Sequence, residues 1–117
     1  RNNRAETYGG GMYVNGLTGN GNTLRFIDCV FENNYANTGG GGALYWAGGS
    51  HFDRGTEFLR CTFVGNRSSF HGGGVYIQRN RGAGESIEFK QCRFEFNVGV
   101  SFGGACFYLV DNVSFLH

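Results

Sequence analysis

The chain has 117 residues, enough for one domain with a modest core, and its ten basic and nine acidic residues argue against a nucleic-acid or anionic-membrane partner. Twenty-two glycines and no proline accompany twelve phenylalanines, so the glycine does not mark a flexible linker, and the chain reads as ordered and turn-rich. No apolar run approaches the roughly 20 residues of a membrane-spanning helix. The opening RNNRAET has neither an apolar signal core nor an initiator methionine, so further chain is expected upstream.

In chain order, the first predicted element is a short strand led by a glycine pair, GGGMYV from Gly9. The polar loop VNGLTGNGNTLR separates it from a second strand at LRF. A third follows in FIDCVFENN, where Cys29 and Phe31 fall on one face of an extended chain because side chains alternate with period two. The series then recurs: GGALYW from Gly41, the loop WAGGSHFDRG, TEF and FLRCTFVGN; then GGGVYI from Gly72, the loop IQRNRGAGES, IEF and FKQCRFEFN. A last round gives GGACFY from Gly103, a shorter loop and VSF. No stretch has helical spacing with caps.

The glycine pairs are spaced by 32, 31 and 31 residues, and this period aligns like with like. Met12, Leu44, Val75 and Cys106 form an apolar column, and Tyr13, Tyr45, Tyr76 and Phe107 an aromatic one. Phe26, Phe58, Phe89 and Phe115 align, as do Cys29, Cys61 and Cys92, then Phe31, Phe63 and Phe94, then Asn3, Asn34, Asn66 and Asn97. Three short strands per turn, with identical residues at equivalent places, predict an all-β parallel coil in which each repeat is one turn; hairpins would set unlike positions side by side. The asparagines are expected at recurrent bends, tolerating left-handed backbone and bonding to one another along the coil. The glycine pairs mark a tight corner.

Residues 1–117 are therefore read as a single β-helix repeat domain of about four turns, approximately 1–33, 34–65, 66–96 and 97–117. Phe115 matches Phe26, so His117 matches Asp28 while Arg1 matches Glu32, and end joins to beginning with three positions missing. At about 4.8 Å per turn, such a stub is on the order of 20 Å tall. Its open edges carry no polar cap, so a segment or subunit of a longer stack is expected.

The tetrapeptides GGAL at 41–44 and GGAC at 103–106, the looser GGGM and GGGV, and FENN at 31–34, FVGN at 63–66 and FEFN at 94–97 together resemble the repeats of the chlamydial polymorphic outer membrane proteins. The likeness covers essentially the whole chain. It implies a right-handed, single-stranded parallel β-helix and an extracellular or cell-surface setting, as in autotransported adhesins. It is far less specific for function.

No C-x-x-C or cysteine–histidine spacing points to a metal, and no cofactor is expected. Stacking brings Cys29, Cys61 and Cys92 within disulfide range, but parallel Cβ vectors bridge poorly, so buried free thiols are expected. Glu57 and Glu88 align one turn apart, close enough for a glycosidase pair. Arg25 in the same column argues instead for a surface charge ladder. Asp28 falls in a mixed polar column with Arg60, Gln91 and His117. His51, Asp53 and Arg54 in one loop face Arg79, Arg81 and Glu85 in the next, a possible polar face for a glycan or protein partner. His71 reads as a corner residue, and the tyrosine column as packing on itself rather than as a sugar-stacking rail. Trp46 reads as a partner anchor or as corner packing. Sequons at Asn66 and Asn112 are possible glycosylation sites, with Asn112 the better because Asn66 lies in the structural column.

The expected function is non-enzymatic and structural: an extracellular or cell-surface β-helix that forms or extends a rod or filament by stacking head to tail on itself. The alternatives are an adhesin passenger segment that binds a host protein or surface glycan, and a fragment of a polysaccharide lyase or hydrolase.

Overall fold

Short extended runs separated by sharp bends can pair their backbones with little cost in topology only if each run lies beside its counterpart one turn away. The structure, a computed structural model, describes residues 1–15, 24–47, 56–78, 87–101, 103–104, 106–108 and 113–116. The strands are β1 (Arg4–Ala5) and β2 (Met12–Asn15); β3 (Arg25–Ile27), β4 (Val30–Glu32), β5 (Tyr35–Ala36) and β6 (Leu44–Ala47); and β7 (Thr56–Leu59), β8 (Thr62–Val64), β9 (Arg67–Ser68) and β10 (Val75–Gln78). Then come β11 (Ile87–Lys90), β12 (Arg93–Glu95), β13 (Val98–Gly99), β14 (Cys106–Tyr108) and β15 (Val113–Leu116).

Every ladder is parallel, and the sheets run β1-β5-β9-β13, β2-β6-β10-β14, β3-β7-β11-β15 and β4-β8-β12. This is a parallel β-helix. Among the described residues there is no helix, so none long and apolar enough to cross a membrane. The register is the one read from the repeat: Met12 pairs with Leu44 and Leu44 with Val75, Phe26 with Phe58 and Phe58 with Phe89, Phe31 with Phe63 and Phe63 with Phe94.

The three predicted strand columns are all present, and a fourth ladder of two-residue strands, β1-β5-β9-β13, follows the asparagines. Two residues are too few to show a period, which is why the sequence reads there as a bend. The glycine phrase, however, carries the signal. A Cβ on Gly42 would overlap the Gly73 carbonyl oxygen and lie 2.6 Å from the backbone nitrogen of Arg67 in β9, and one on Gly10 would lie 2.6 Å from the backbone nitrogen of Tyr35 in β5. The second glycine of each pair is thus where the corner and the narrow ladder of the next turn meet backbone to backbone.

Between these walls the side chains alternate. Leu44 and Trp46 of β6, Val75 and Ile77 of β10, Phe58, Phe63, Ile87 and Phe89 fill the core, with Met12, Val14, Phe26, Phe31 and Phe94 packed on it toward the ends. Trp46 is therefore a core residue rather than an anchor on the surface. Each fully buried phenylalanine contributes about 2–3 kcal/mol of transfer free energy. Tyr45 and Tyr76 point to the other side of their sheet yet are only 4% and 8% exposed. Tyr8 covers Tyr45 at a ring-centroid distance of 4.4 Å. A Cβ on Gly40 would come within 2.8 Å of the Tyr76 ring, so the extra glycine of the second turn makes room for the tyrosine.

The left-handed backbone does not fall on the ladder asparagines. It falls on the residue before each, Asn2, Asn33, Gly65 and Phe96 at φ 55°, 52°, 63° and 53°, and at a second corner on Asp28, Arg60 and Gln91 at 53°, 52° and 54°. The bend and the ladder are thus made by adjacent residues, which frees the asparagine side chain to point inward. A bulky residue in this region costs roughly 1–2 kcal/mol, and Phe96 is 85% exposed. We expect Phe96→Gly to raise stability by about 1 kcal/mol and Gly42→Ala to lower it by about 3 kcal/mol, both read by chemical denaturation.

Candidate functional site

Among the described residues the polar and aromatic side chains lie in columns that run from turn to turn. The inner wall begins with asparagine. The Oδ1 of Asn66 accepts from the backbone N–H of Asn34 at 3.0 Å and from its Nδ2 at 2.9 Å. Its own Nδ2 donates to Asn97 Oδ1 and to the Phe31 carbonyl, each at 2.9 Å. The pattern recurs from Asn3 to Asn34 at 3.1 Å and from Asn97 Nδ2 to the Phe63 carbonyl at 2.8 Å. A primary amide has two acceptor sites and two donor hydrogens, and Asn66, fully buried, uses all four. The F-x-x-N phrase has a physical reason here: the asparagine of one turn binds the phenylalanine carbonyl of the turn before.

Two phenylalanine stacks complete the wall. Phe26, Phe58 and Phe89 lie 4.6 and 4.9 Å apart between centroids, and Phe31, Phe63 and Phe94 lie 4.8 and 4.7 Å apart with planes within 3°. These separations are the strand spacing. The stacks meet edge to face, Phe58 on Phe63 at 6.0 Å and 61° and Phe89 on Phe94 at 5.5 Å and 69°, a favoured aromatic geometry.

Cys29, Cys61 and Cys92 are free thiols; Cys61 is buried as expected, whereas Cys29 and Cys92 are only partly buried. Cys61 and Cys92 each donate to the carbonyl of the phenylalanine one turn back, Cys61 to Phe26 and Cys92 to Phe58, both at 3.3 Å. Burial pushes the Cys61 thiol up to about 11 and raises Cys92 as well. A raised thiol is protonated at neutral pH, so Cys61 and Cys92 serve as packing groups. Among the described residues no cluster of histidine, cysteine or carboxylate side chains is arranged to hold a metal ion.

On the outside, Glu57 receives Arg25 at 2.9 Å on one carboxylate oxygen and Lys90 at 2.8 Å on the other, and Lys90 reaches Glu88 at 3.0 Å. The two aligned glutamates thus share one ammonium. Hydrogen bonds from Lys90, then Arg25, hold the Glu57 carboxyl below its ordinary value. A glycosidase acid needs the opposite shift. Because the folded value is depressed, what this ladder adds to stability is present above the ordinary glutamate value of 4.5 and is lost as pH falls through the lowered one. Asp28 is likewise lowered by a two-pronged bond from Arg60, at 2.6 and 2.8 Å. Lys90 was not among the residues the sequence singled out. Its signal was a lysine standing in a column otherwise occupied by Ile27, Leu59 and Leu116.

The loop residues His51, Asp53, Arg54, Arg79, Arg81 and Glu85 and the sequon Asn112 lie outside the described residues. At the other sequon, the Asn66 nitrogen that a glycan would occupy spends both hydrogens within the ladder. His71 sits at the glycine corner, stacked on Tyr76 at 5.7 Å. The tyrosine column packs on itself, Tyr13 to Tyr45 at 5.3 Å and Tyr45 to Tyr76 at 5.0 Å, with the Tyr45 hydroxyl donating to Gln78.

Fold and ladders define a parallel β-helical solenoid whose repeat is carried by stacked asparagine and phenylalanine. The family model of the Chlamydia polymorphic membrane protein (Chlamydia_PMP) repeat matches residues 28–45, a stretch holding both FENN and GGAL. The chain carries a repeat of that kind. No curated protein and no solved structure gives a significant match.

Asn66→Ala would strand donors of Asn34, an acceptor of Asn97 and the Phe31 carbonyl inside the wall, at a cost of about 4 kcal/mol, whereas Asn3→Ala at the exposed end should cost about 1 kcal/mol; urea melts of the two variants check the difference. Iodoacetamide at pH 8 should alkylate Cys61 of the folded chain at least about 100-fold more slowly than the same residue in urea, followed by peptide mass spectrometry.

Proposed function

We propose that this chain is a non-enzymatic structural element of an extracellular or cell-surface β-helix, which forms or extends a rod by stacking end to end. The observation that carries this reading is the run of ladders through all the described turns. Asparagine, phenylalanine and backbone columns each pass from β-strand to β-strand without a break in register and reach both outermost rungs. A column that repeats the same contact at every step gives one more turn the same contacts as the last.

The match to a repeat of a membrane-protein family supports a surface setting. The side-chain chemistry supports a passive role: buried thiols raised, outer carboxylates lowered and tied to cations. An adhesive face on the loops after β6 and β10 is compatible with such a rod, since recognition commonly sits on loops over a rigid scaffold. The purified chain at rising concentration should form rods in negative-stain images whose length distribution lengthens with concentration, with an axial repeat of about 4.8 Å in diffraction; monodisperse globular particles at every concentration would contradict the proposal.

A further inference from the structure

Where outer columns carry charge of both signs, unlike residues stand one rung apart and pair, Arg25 with Glu57 and Asp28 with Arg60. The outer column of the narrow ladder is built differently. It runs Arg4, Tyr35, Arg67, so two guanidinium groups stand two rungs apart with a tyrosine between them. Both arginines are exposed and Tyr35 is half-buried. The Arg4 guanidinium lies over the Tyr35 ring, 5.3 Å from its centroid. Tyr35 is itself pinned, its hydroxyl meeting Ser69 Oγ at 2.8 Å and donating to Asn37 Oδ1 at 3.2 Å. Arg67 has a described rung on either side of it, at Tyr35 and at Val98, and among the described residues no carboxylate meets its side chain. The carboxylates around the column are engaged elsewhere: Glu6 accepts from Asn37 Nδ2 at 2.8 Å, Glu32 pairs with Arg1, and Glu95 pairs with Arg93.

We propose that this column is a binding site for an acidic polysaccharide that lies along the coil axis, with one anionic group at Arg67 and the next at Arg4. The inference is separate from end-to-end stacking and uses only the surface setting that the repeat match supports. Two rungs span about 10 Å. One disaccharide of an extended acidic glycan advances by a similar length, whereas acidic side chains on one face of an extended peptide recur about every 7 Å. A guanidinium offers a planar fork of donors that fits the paired oxygens of a carboxylate or sulfate. Ordering a long side chain costs entropy on binding, and the Tyr35 ring holds the Arg4 head in place beforehand, so less of that cost falls on the ligand. Tyr35 is thus a positioning residue. The near balance of the whole chain, ten basic against nine acidic residues, keeps the attraction local to this column and offers nucleic acid no general basic face.

Titration calorimetry on the full chain tests this with two probes, a heparin octasaccharide carrying sulfate and carboxylate and a galacturonate octasaccharide carrying carboxylate alone. Saturable binding of either one that weakens as salt is raised supports the proposal, and the second probe tells carboxylate from sulfate recognition. Arg4→Gln and Arg67→Gln should each weaken binding about fivefold, and the double variant by about the product of the two. Arg60→Gln removes the same charge at another corner and should change affinity by less than about twofold. A loss from Arg60→Gln equal to that from Arg67→Gln overturns the proposal, because it marks general attraction to positive charge, and so does the absence of binding to both probes. A glutamate octapeptide that binds as tightly overturns the choice of a glycan. Tyr35→Phe, which keeps the ring, should keep the affinity, whereas Tyr35→Leu should lose about threefold; an equal loss in both overturns the positioning role. Each arm reads binding by the chain whether or not copies stack.

Discussion

A buried amide that uses both acceptor sites and both donor hydrogens ties three turns of chain together at one point, and the rest of the molecule is arranged so that this can happen at every turn. Asn66 binds Asn34 in the turn before and Asn97 in the turn after, and reaches back to the Phe31 carbonyl. For that geometry to recur, successive asparagines must stand one strand spacing apart and face inward. The left-handed residue just ahead of each of them turns the chain, and the two-residue strand just after carries it to the glycine corner. Shift the register by one residue and the amide faces solvent while its partners are left buried and unpaired.

The phenylalanine stacks obey the same constraint with weaker, less directional forces. Their centroid spacing is set by the backbone ladders, and edge-to-face contact between the two stacks then fixes how the walls meet. Cysteine fits the third inner column because it is small enough to leave room for both stacks and its thiol finds a carbonyl one turn away. Outside, the same stacking places charges at the strand spacing, where unlike neighbours pair: Arg25 with Glu57, Asp28 with Arg60. These charged side chains are thereby tied to one another across the turns.

What was legible in the text was whatever the period repeats. The three longer ladders, the register of the phenylalanine columns and the pairing of Arg25 with Glu57 all follow from aligning one repeat on the next. The narrow fourth ladder was not legible as a strand, because two residues such as Tyr35 and Ala36 carry no alternation, although the crowded glycine beside it records its presence. The placement of left-handed backbone was misassigned by one residue for a related reason. Asn33 and Asn34 are chemically alike, and only the neighbouring turns, with Gly65 and Phe96 at the first of these positions and asparagine always at the second, separate the bend from the ladder. Lys90 departs from its column's apolar character, and a reading built on likeness passes over departures.

The claim on which this account stands is that asparagine amides about thirty residues apart are hydrogen-bonded to one another inside the wall. Scalar coupling transmitted through the hydrogen bond, measured by NMR on chain labelled with nitrogen-15 and carbon-13, reports that contact directly. The account predicts a coupling between the backbone nitrogen of Asn34 and the side-chain carbonyl carbon of Asn66, and its counterpart between Asn66 and Asn97. Finding the Asn34 amide coupled instead to a carbonyl within its own repeat, as in a hairpin, would contradict it.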